Sequence, residues 1–158
     1  MTNAAGHPDL AILLTAASRC VADRLLDAMA AAGLDEVRSN HGFVIRALAD
    51  AGLTLTELAT RLGVSKQAAL KVVDDMEERG LVVRAPSTTD RRAKTIRLTK
   101  RGRTVRKRAL ATSKRMEAEL RDDLGNATVD AAREALEHFV ERNGGLDDVR
   151  AGRARPIW

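Results

Sequence analysis

The apolar rhythm of this chain changes twice, and the two changes constrain its fold more than any other feature. Up to Gly80 the apolar residues recur at helical spacing; between Leu81 and Leu98 they become β-branched or alternating; from about Lys100 the helical period returns. A chain with that pattern is mainly α-helical with one short two-stranded hairpin set between helices. Just before the hairpin, "LTELATRLGVSKQAALKVVDDMEERG" reads as two short helices meeting at Gly63. Thr54 caps the first, with Glu57 three residues on completing a capping box, and Ser65 caps the second. Ala69, Val72, Val73 and Met76 form the buried stripe of that second helix, so a step of about 100° per residue turns Gln67, Lys71, Asp74 and Glu78 outward. The hairpin pairs "LVVRA" with "AKTIRL" through "PSTTDRR", whose Pro, Ser, Thr and Asp are turn formers.

The flanks are helical too. A long first helix runs from Leu10 to before Gly33, and a second runs from Phe43 to Ala51. Beyond the hairpin a fifth helix carries Val105, Ala109, Thr112, Met116, Leu120 and Leu124 to Gly125. A sixth follows Thr128 with Val129, Ala132, Leu136, Phe139 and Val140 on one side. Residues 8–36 and 100–143 are expected to form a dimerisation domain, because their apolar stripes have few other surfaces in so short a chain. Residues 40–99 are the central domain, and 144–158 have no clear period and read as a loose tail. The expected fold is therefore about six helices plus a β-hairpin.

Charge supplies the functional reading. Of 27 basic residues, 17 lie between Arg61 and Arg115, against 5 of the 22 acids, so a basic middle sits in an acidic frame. Such segregation is expected where one part of a chain meets a polyanion. The stretch "DRRAKTIRLTKRG" holds Arg91, Arg92, Lys94, Arg97, Lys100 and Arg101 together with the one acid Asp90. Massed cations repel each other in the free protein, and phosphates relieve that through counterion release. Two helices at helix-turn-helix spacing followed by a basic hairpin is the order of a winged helix. Ser65, Lys66, Gln67, Leu70 and Lys71 occupy the first turns of the second helix, the end that enters a major groove. Asp90, Arg91, Arg92 and Lys94 belong to the wing, and Arg84, Arg97, Lys100 and Arg101 are candidate phosphate contacts. Aromatic residues are only 2%, with no Tyr, which argues against stacking platforms for RNA or single strands.

Three stretches carry a family resemblance: "GLVVR" from Gly80, "DRRAKTIRLT" from Asp90, and "KRG" ending at Gly102. They resemble the GLVxR, DxRxxxVxLT and LTxxG signatures of the MarR family of bacterial transcriptional regulators, and the likeness covers about residues 8 to 143. The resemblance implies a winged-helix domain between dimerising helices, a homodimer bound to a palindromic duplex, and repression as the expected mode of action. Its minor-groove arginine falls on Arg92, and the aspartate that orients it on Asp90. Ile96 stands where Val is usual, and Lys100 and Arg101 replace a more usual acidic residue.

Members of this family often bind small aromatic or phenolic effectors between the dimer helices and the winged helix. Here that cleft would draw on Leu14, Ala17, His41, Phe43 and Val44. Some relatives sense peroxide through a cysteine in the first helix, activated by tyrosines. Cys20 lies there, but without tyrosines it reads as a buried, inert thiol. His7, His41 and His138 are scattered, so no metal or other cofactor is expected. No phosphate loop, nucleophile elbow or HExxH motif points to an enzyme. A ligand-independent or architectural winged-helix DNA-binding protein is one alternative reading, and a regulator that senses redox through Cys20 is the other. One cysteine and no apolar run of membrane-spanning length suggest a cytoplasmic protein that contacts no membrane.

Overall fold

The computed structural model describes residues 7–48, 52–86, 94–145, 147 and 149. Its elements run α1 (Leu10–Ala30), α2 (His41–Leu48), β1 (Leu53–Thr54), α3 (Leu55–Leu62), α4 (Lys66–Glu78), β2 (Val82–Pro86), β3 (Lys94–Leu98), α5 (Lys100–Leu124) and α6 (Asn126–Arg142). The caps fall where the sequence places them. Thr54 Oγ1 accepts from the Glu57 N–H while Glu57 accepts from the Thr54 N–H at 2.8 Å, closing the capping box. Gly63 ends α3 with φ 65°, a left-handed turn that a side chain would strain. Ser65 Oγ then accepts from the Ala68 N–H to start α4.

The expected two-stranded hairpin is a three-stranded antiparallel sheet, in the order β1-β3-β2. β1 is two residues long, pairing Leu53 with Ile96 and Thr54 with Thr95. A strand that short has no period, and Thr54 doubles as the α3 cap, so its sequence reads as helix entry. The sixth helix also starts earlier than expected, at Asn126. Gly125 precedes it and no side chain caps it, so Thr128 sits inside the first turn. The turn between β2 and β3 and the tail lie largely outside the described residues.

One core joins these elements. Val44, Ile45 and Leu48 of α2 meet Leu58 and Leu62 of α3, Val73 and Met76 of α4, Leu81, Val82, Ile96 and Leu98 of the sheet, and Val105 of α5. Each such side chain removed from water contributes about 1.5–3 kcal/mol. The flanking helices are different. Met29 is the one buried residue of α1 and α6 has none, while Leu10, Leu13, Leu120, Leu124, Leu136 and Phe139 are exposed on the single chain. The exposed residues include long apolar stripes that a soluble monomer does not ordinarily leave uncovered.

Candidate nucleic-acid interface

Helix α4 is divided along its length. Ala69, Val73 and Met76 are buried, which fixes the helix against the core. Ser65, Lys66, Gln67, Leu70 and Lys71 are all exposed around its N-terminal end. A helix start carries unpaired N–H groups and a partial positive charge, so this end suits contact with an anionic duplex. Lys and Gln side chains there have the donors and acceptors that read guanine and adenine edges.

The second half of α4 is acidic, and the fold ties Asp74, Asp75 and Glu77 into two clamps. In the first, the Asp75 carboxylate accepts from His41 Nε2 at 2.7 Å and from Arg79 at 2.9 Å, with Arg38 at 3.3 Å. His41 is fully buried, and its Nδ1 accepts from the Arg38 N–H at 3.1 Å. A neutral ring that accepts at Nδ1 carries its proton on Nε2, so His41 donates to Asp75. Burial holds the His41 pKa below the usual histidine value against the pull of Asp75. The Arg79 hydrogen bond, followed by those of His41 and the Arg38 charge, lowers Asp75 to about 2. In the second clamp, the Arg84 guanidinium bonds Glu77 and Asp74, and the Arg84 N–H donates to Glu77. Together the clamps fasten α4 to the entry of α2 on one side and to strand β2 on the other.

The candidate phosphate contacts differ in their surroundings. Arg84 bridges α4 to the sheet through Asp74 and Glu77. Arg101 likewise bonds Glu36 and donates to the Gly33 carbonyl at 3.3 Å, holding the start of α5 against the end of α1. Arg97 is half-buried and packs its stem over Gly52. Lys94 and Lys100 are exposed, as a backbone contact requires. Asp90, Arg91 and Arg92 lie outside the described residues.

Helices α1, α2 and α5 enclose an apolar cavity of about 380 Å³. Val21, Leu25, Leu26, Phe43, Ile45 and Ala109 line it, with Arg38, Arg46 and Arg106 adding cations. Of the five residues expected at an effector site, Phe43 lines this cavity. His41 belongs to the Asp75 clamp and Val44 to the core, while Leu14 and Ala17 lie on α1 away from the lining. The side chains facing inward come from one turn further along α1. Cys20, expected to be buried, is exposed on the single chain. No described helix is long and apolar enough to cross a membrane.

The MarR family profile matches residues 37–93. A transcriptional repressor, CouR, solved with a 23-mer DNA duplex, is 30% identical to the chain, covering 84% of it and 92% of the CouR chain, with a TM-score of 0.63. The chain belongs to the MarR family. CouR from Rhodococcus jostii RHA1, solved with p-coumaroyl-CoA, is 29% identical over 84% of this chain and 92% of its own, with a TM-score of 0.59. The FabT protein of Streptococcus pneumoniae, in a complex with DNA, is 16% identical and shares the fold at a TM-score of 0.72, covering 85% of this chain and 94% of its own. Curated protein sequences give no significant match. MarR proteins are transcriptional regulators, and the six helices with a small antiparallel sheet are their winged-helix architecture.

Within this MarR fold, two of the signatures quoted from the sequence meet in space. The Thr99 N–H donates to the Leu81 carbonyl at 3.1 Å, and the Thr99 hydroxyl donates to the Gly80 carbonyl at 2.6 Å. The Asp75 clamp was missed by sequence reasoning. His41 and Asp75 are 34 residues apart, and the one available signal was that a histidine at a helix entry needs a partner if it is buried.

Proposed function

We propose that the chain is a dimeric, sequence-specific DNA-binding repressor that acts in the cytoplasm on a palindromic operator and is released by a small molecule. The observation that carries this reading is the exposed, polar N-terminal end of α4, with Asp74, Asp75 and Glu77 behind it tied to the protein's own cations. A 30% identical relative in complex with a duplex supports it. In this reading Ser65, Lys66, Gln67, Leu70 and Lys71 enter the major groove. Asp90, Arg91, Arg92 and Lys94 form the wing, with Arg92 reaching the minor groove, and Arg84, Arg97, Lys100 and Arg101 meet phosphates. Selecting bound duplexes from a random pool tests it: a two-fold motif is expected, and equal affinity for every duplex would favour an architectural protein instead. Gln67→Ala and Lys71→Ala should each cost about 1–3 kcal/mol at particular base positions. Equal losses on all sequences, measured by titration at fixed salt, would reduce both residues to phosphate contacts.

Residues 8–36 and 100–143 form the dimerisation domain in this reading, since the exposed leucines of α1, α5 and α6 need a partner surface. A two-fold dimer also sets two α4 ends roughly 34 Å apart, one turn of duplex. Phe139, 62% exposed on the single chain, should be covered in the dimer. Phe139→Glu is therefore expected to shift sedimentation toward monomer and to weaken operator binding with it; a variant that stays dimeric at micromolar concentration would move the interface elsewhere.

The cavity between α1, α2 and α5 is the effector site in this reading. Its volume lies within the range of small-molecule pockets, and a 29% identical relative was solved with p-coumaroyl-CoA. Arg38 and Phe43 line it while Arg38 also touches Asp75, so an occupant can act on the clamp that sets α4.

A further inference from the structure

Leu70 is the one large apolar side chain on the exposed face of α4, 38% exposed where Ala69, Val73 and Met76 are buried. It takes no part in the core that the same helix joins. The other exposed leucines of the described residues lie on α1, α5 and α6, where a second copy of the chain covers them in the proposed dimer. Leu70 stands instead at the reading end of α4, beside exposed Lys66, Gln67 and Lys71. A lone exposed leucine needs no explanation on an ordinary surface. On a surface offered to a duplex it is unfavourable against most partners, because phosphates and polar base edges lose water to it and gain no hydrogen bond.

One group in the major groove suits it. Thymine carries a 5-methyl there, whereas cytosine offers an amino donor and the purines offer polar edges without a methyl. Leucine has neither donor nor acceptor, so any other base leaves a polar edge unpaired beneath it. The neighbours narrow the position. Gln67 precedes Leu70 by three residues, so the two lie side by side on the helix with about 5–6 Å between Cβ atoms. Base pairs stack about 3.4 Å apart, so these side chains address base pairs one or two steps apart. Asp74, one turn beyond Leu70, is the acid that could accept from a cytosine amino group, and the Arg84 guanidinium holds its carboxylate.

We infer that Leu70 is a specificity-determining residue that reads the 5-methyl group of one thymine in each half-site, one or two base pairs from the pair met by Gln67. The inference rests on the reading of α4 as the helix that enters the major groove, and it adds the base required at one position. Leu70 selects in two ways. Removal of the methyl group and the leucine from water favours thymine, and the unpaired polar edges of the other bases disfavour them.

The experiment uses the full-length protein and the duplex selected from the random pool, with each thymine of a half-site replaced in turn by deoxyuridine, which lacks the 5-methyl group alone. Affinity is measured at fixed salt for wild type, Leu70→Ala and Leu70→Met. In wild type one thymine per half-site should be sensitive, losing about fourfold in affinity, the effect of one methyl group returned to water. Replacement in both half-sites should lose on the order of fifteenfold. Leu70→Ala should be indifferent to the same replacement, while Leu70→Met, still apolar and of similar length, keeps the sensitivity. A scan with no sensitive thymine overturns the inference. So does a thymine that stays sensitive in Leu70→Ala, or one more than two base pairs from the position where Gln67→Ala relaxes specificity. In each of these cases a two-fold selected motif leaves the major-groove reading of α4 standing, whereas a pool that yields no motif removes both. Leu70 lies outside the core, so circular dichroism and sedimentation of both variants should match wild type.

Discussion

Asp75→Ala is expected to lower stability by about 2–3 kcal/mol, since it removes hydrogen bonds to two charged or partly buried donors at once and leaves His41 buried without its acceptor. Asp75 contacts no base in the proposed complex, yet operator affinity should fall with it, because the clamp fixes α4 against the entry of α2. The accompanying pH dependence separates the clamp from ordinary core loss. Burial lowers the His41 pKa in the folded chain, so below about 6.5 the unfolded chain takes up a proton that the folded one refuses. Wild-type stability should therefore fall as pH drops from about 6.5 toward 5. Asp75, held at about 2, contributes in full above its ordinary value of 3.8 and loses that contribution only as pH falls from there toward 2. Glu36, Glu57 and Glu117, all lowered from 4.5 by their partners, add their own losses below about that pH. The window between about 6.5 and 5 thus belongs to His41. His41→Gln should flatten it, since glutamine does not titrate. Asp75→Asn should extend it to lower pH, since the group that favours the charged imidazole is gone. Urea unfolding at fixed protomer concentration across pH 7.5 to 5 measures all three; a slope that persists unchanged in His41→Gln would assign it to other groups.

Much of this fold is local chemistry, and that part was legible in the residues. The Thr54–Glu57 box, the Gly63 turn, the Ser65 cap and the Ala69, Val73, Met76 stripe are each set by neighbours within a few positions, so spacing reveals them. The exposed reading end of α4 follows from the stripe. What escaped was non-local. Strand β1 is defined only by its partners Thr95 and Ile96, and the Asp75 clamp joins two helices through residues 34 positions apart. Arg84 and Arg101 read as phosphate contacts from their basic positions near the wing, and charge patterning gave no sign of their partners Asp74, Glu77 and Glu36. Which cations meet phosphate and which meet Asp74, Glu77 or Glu36 is decided by tertiary distance, to which charge patterning is blind. The cavity illustrates the same limit: α1 was placed correctly, but which of its turns faces α2 depends on how the two helices cross.

The other large effect arises where two signatures touch, and Gly102 is its centre. A Cβ at Gly102 would lie 2.1 Å from the Leu81 carbonyl oxygen, a backbone atom that cannot swing aside. The position is helical, so left-handed backbone is not the reason for glycine. The reason is close approach: α5 starts against the chain leaving α4, with the Gly102 N–H donating to Thr99 Oγ1 and Thr99 bonded to Gly80 and Leu81. Gly102→Ala must push α5 away from β2 or break these bonds, and should cost about 3 kcal/mol or more, the upper end of overpacking penalties. Because α5 carries much of the proposed dimer surface as well as the cavity wall, melting of that junction should also loosen dimerisation. Gly42→Ala is the control. Its Cβ would meet nothing within 4 Å, and alanine is the better helix former by roughly 0.5–1 kcal/mol. Urea unfolding at matched protomer concentration should therefore find one glycine-to-alanine change strongly destabilising and the other neutral or stabilising. Equal effects at the two sites would mean that α5 does not abut Leu81 as closely as the Thr99 hydrogen bonds require.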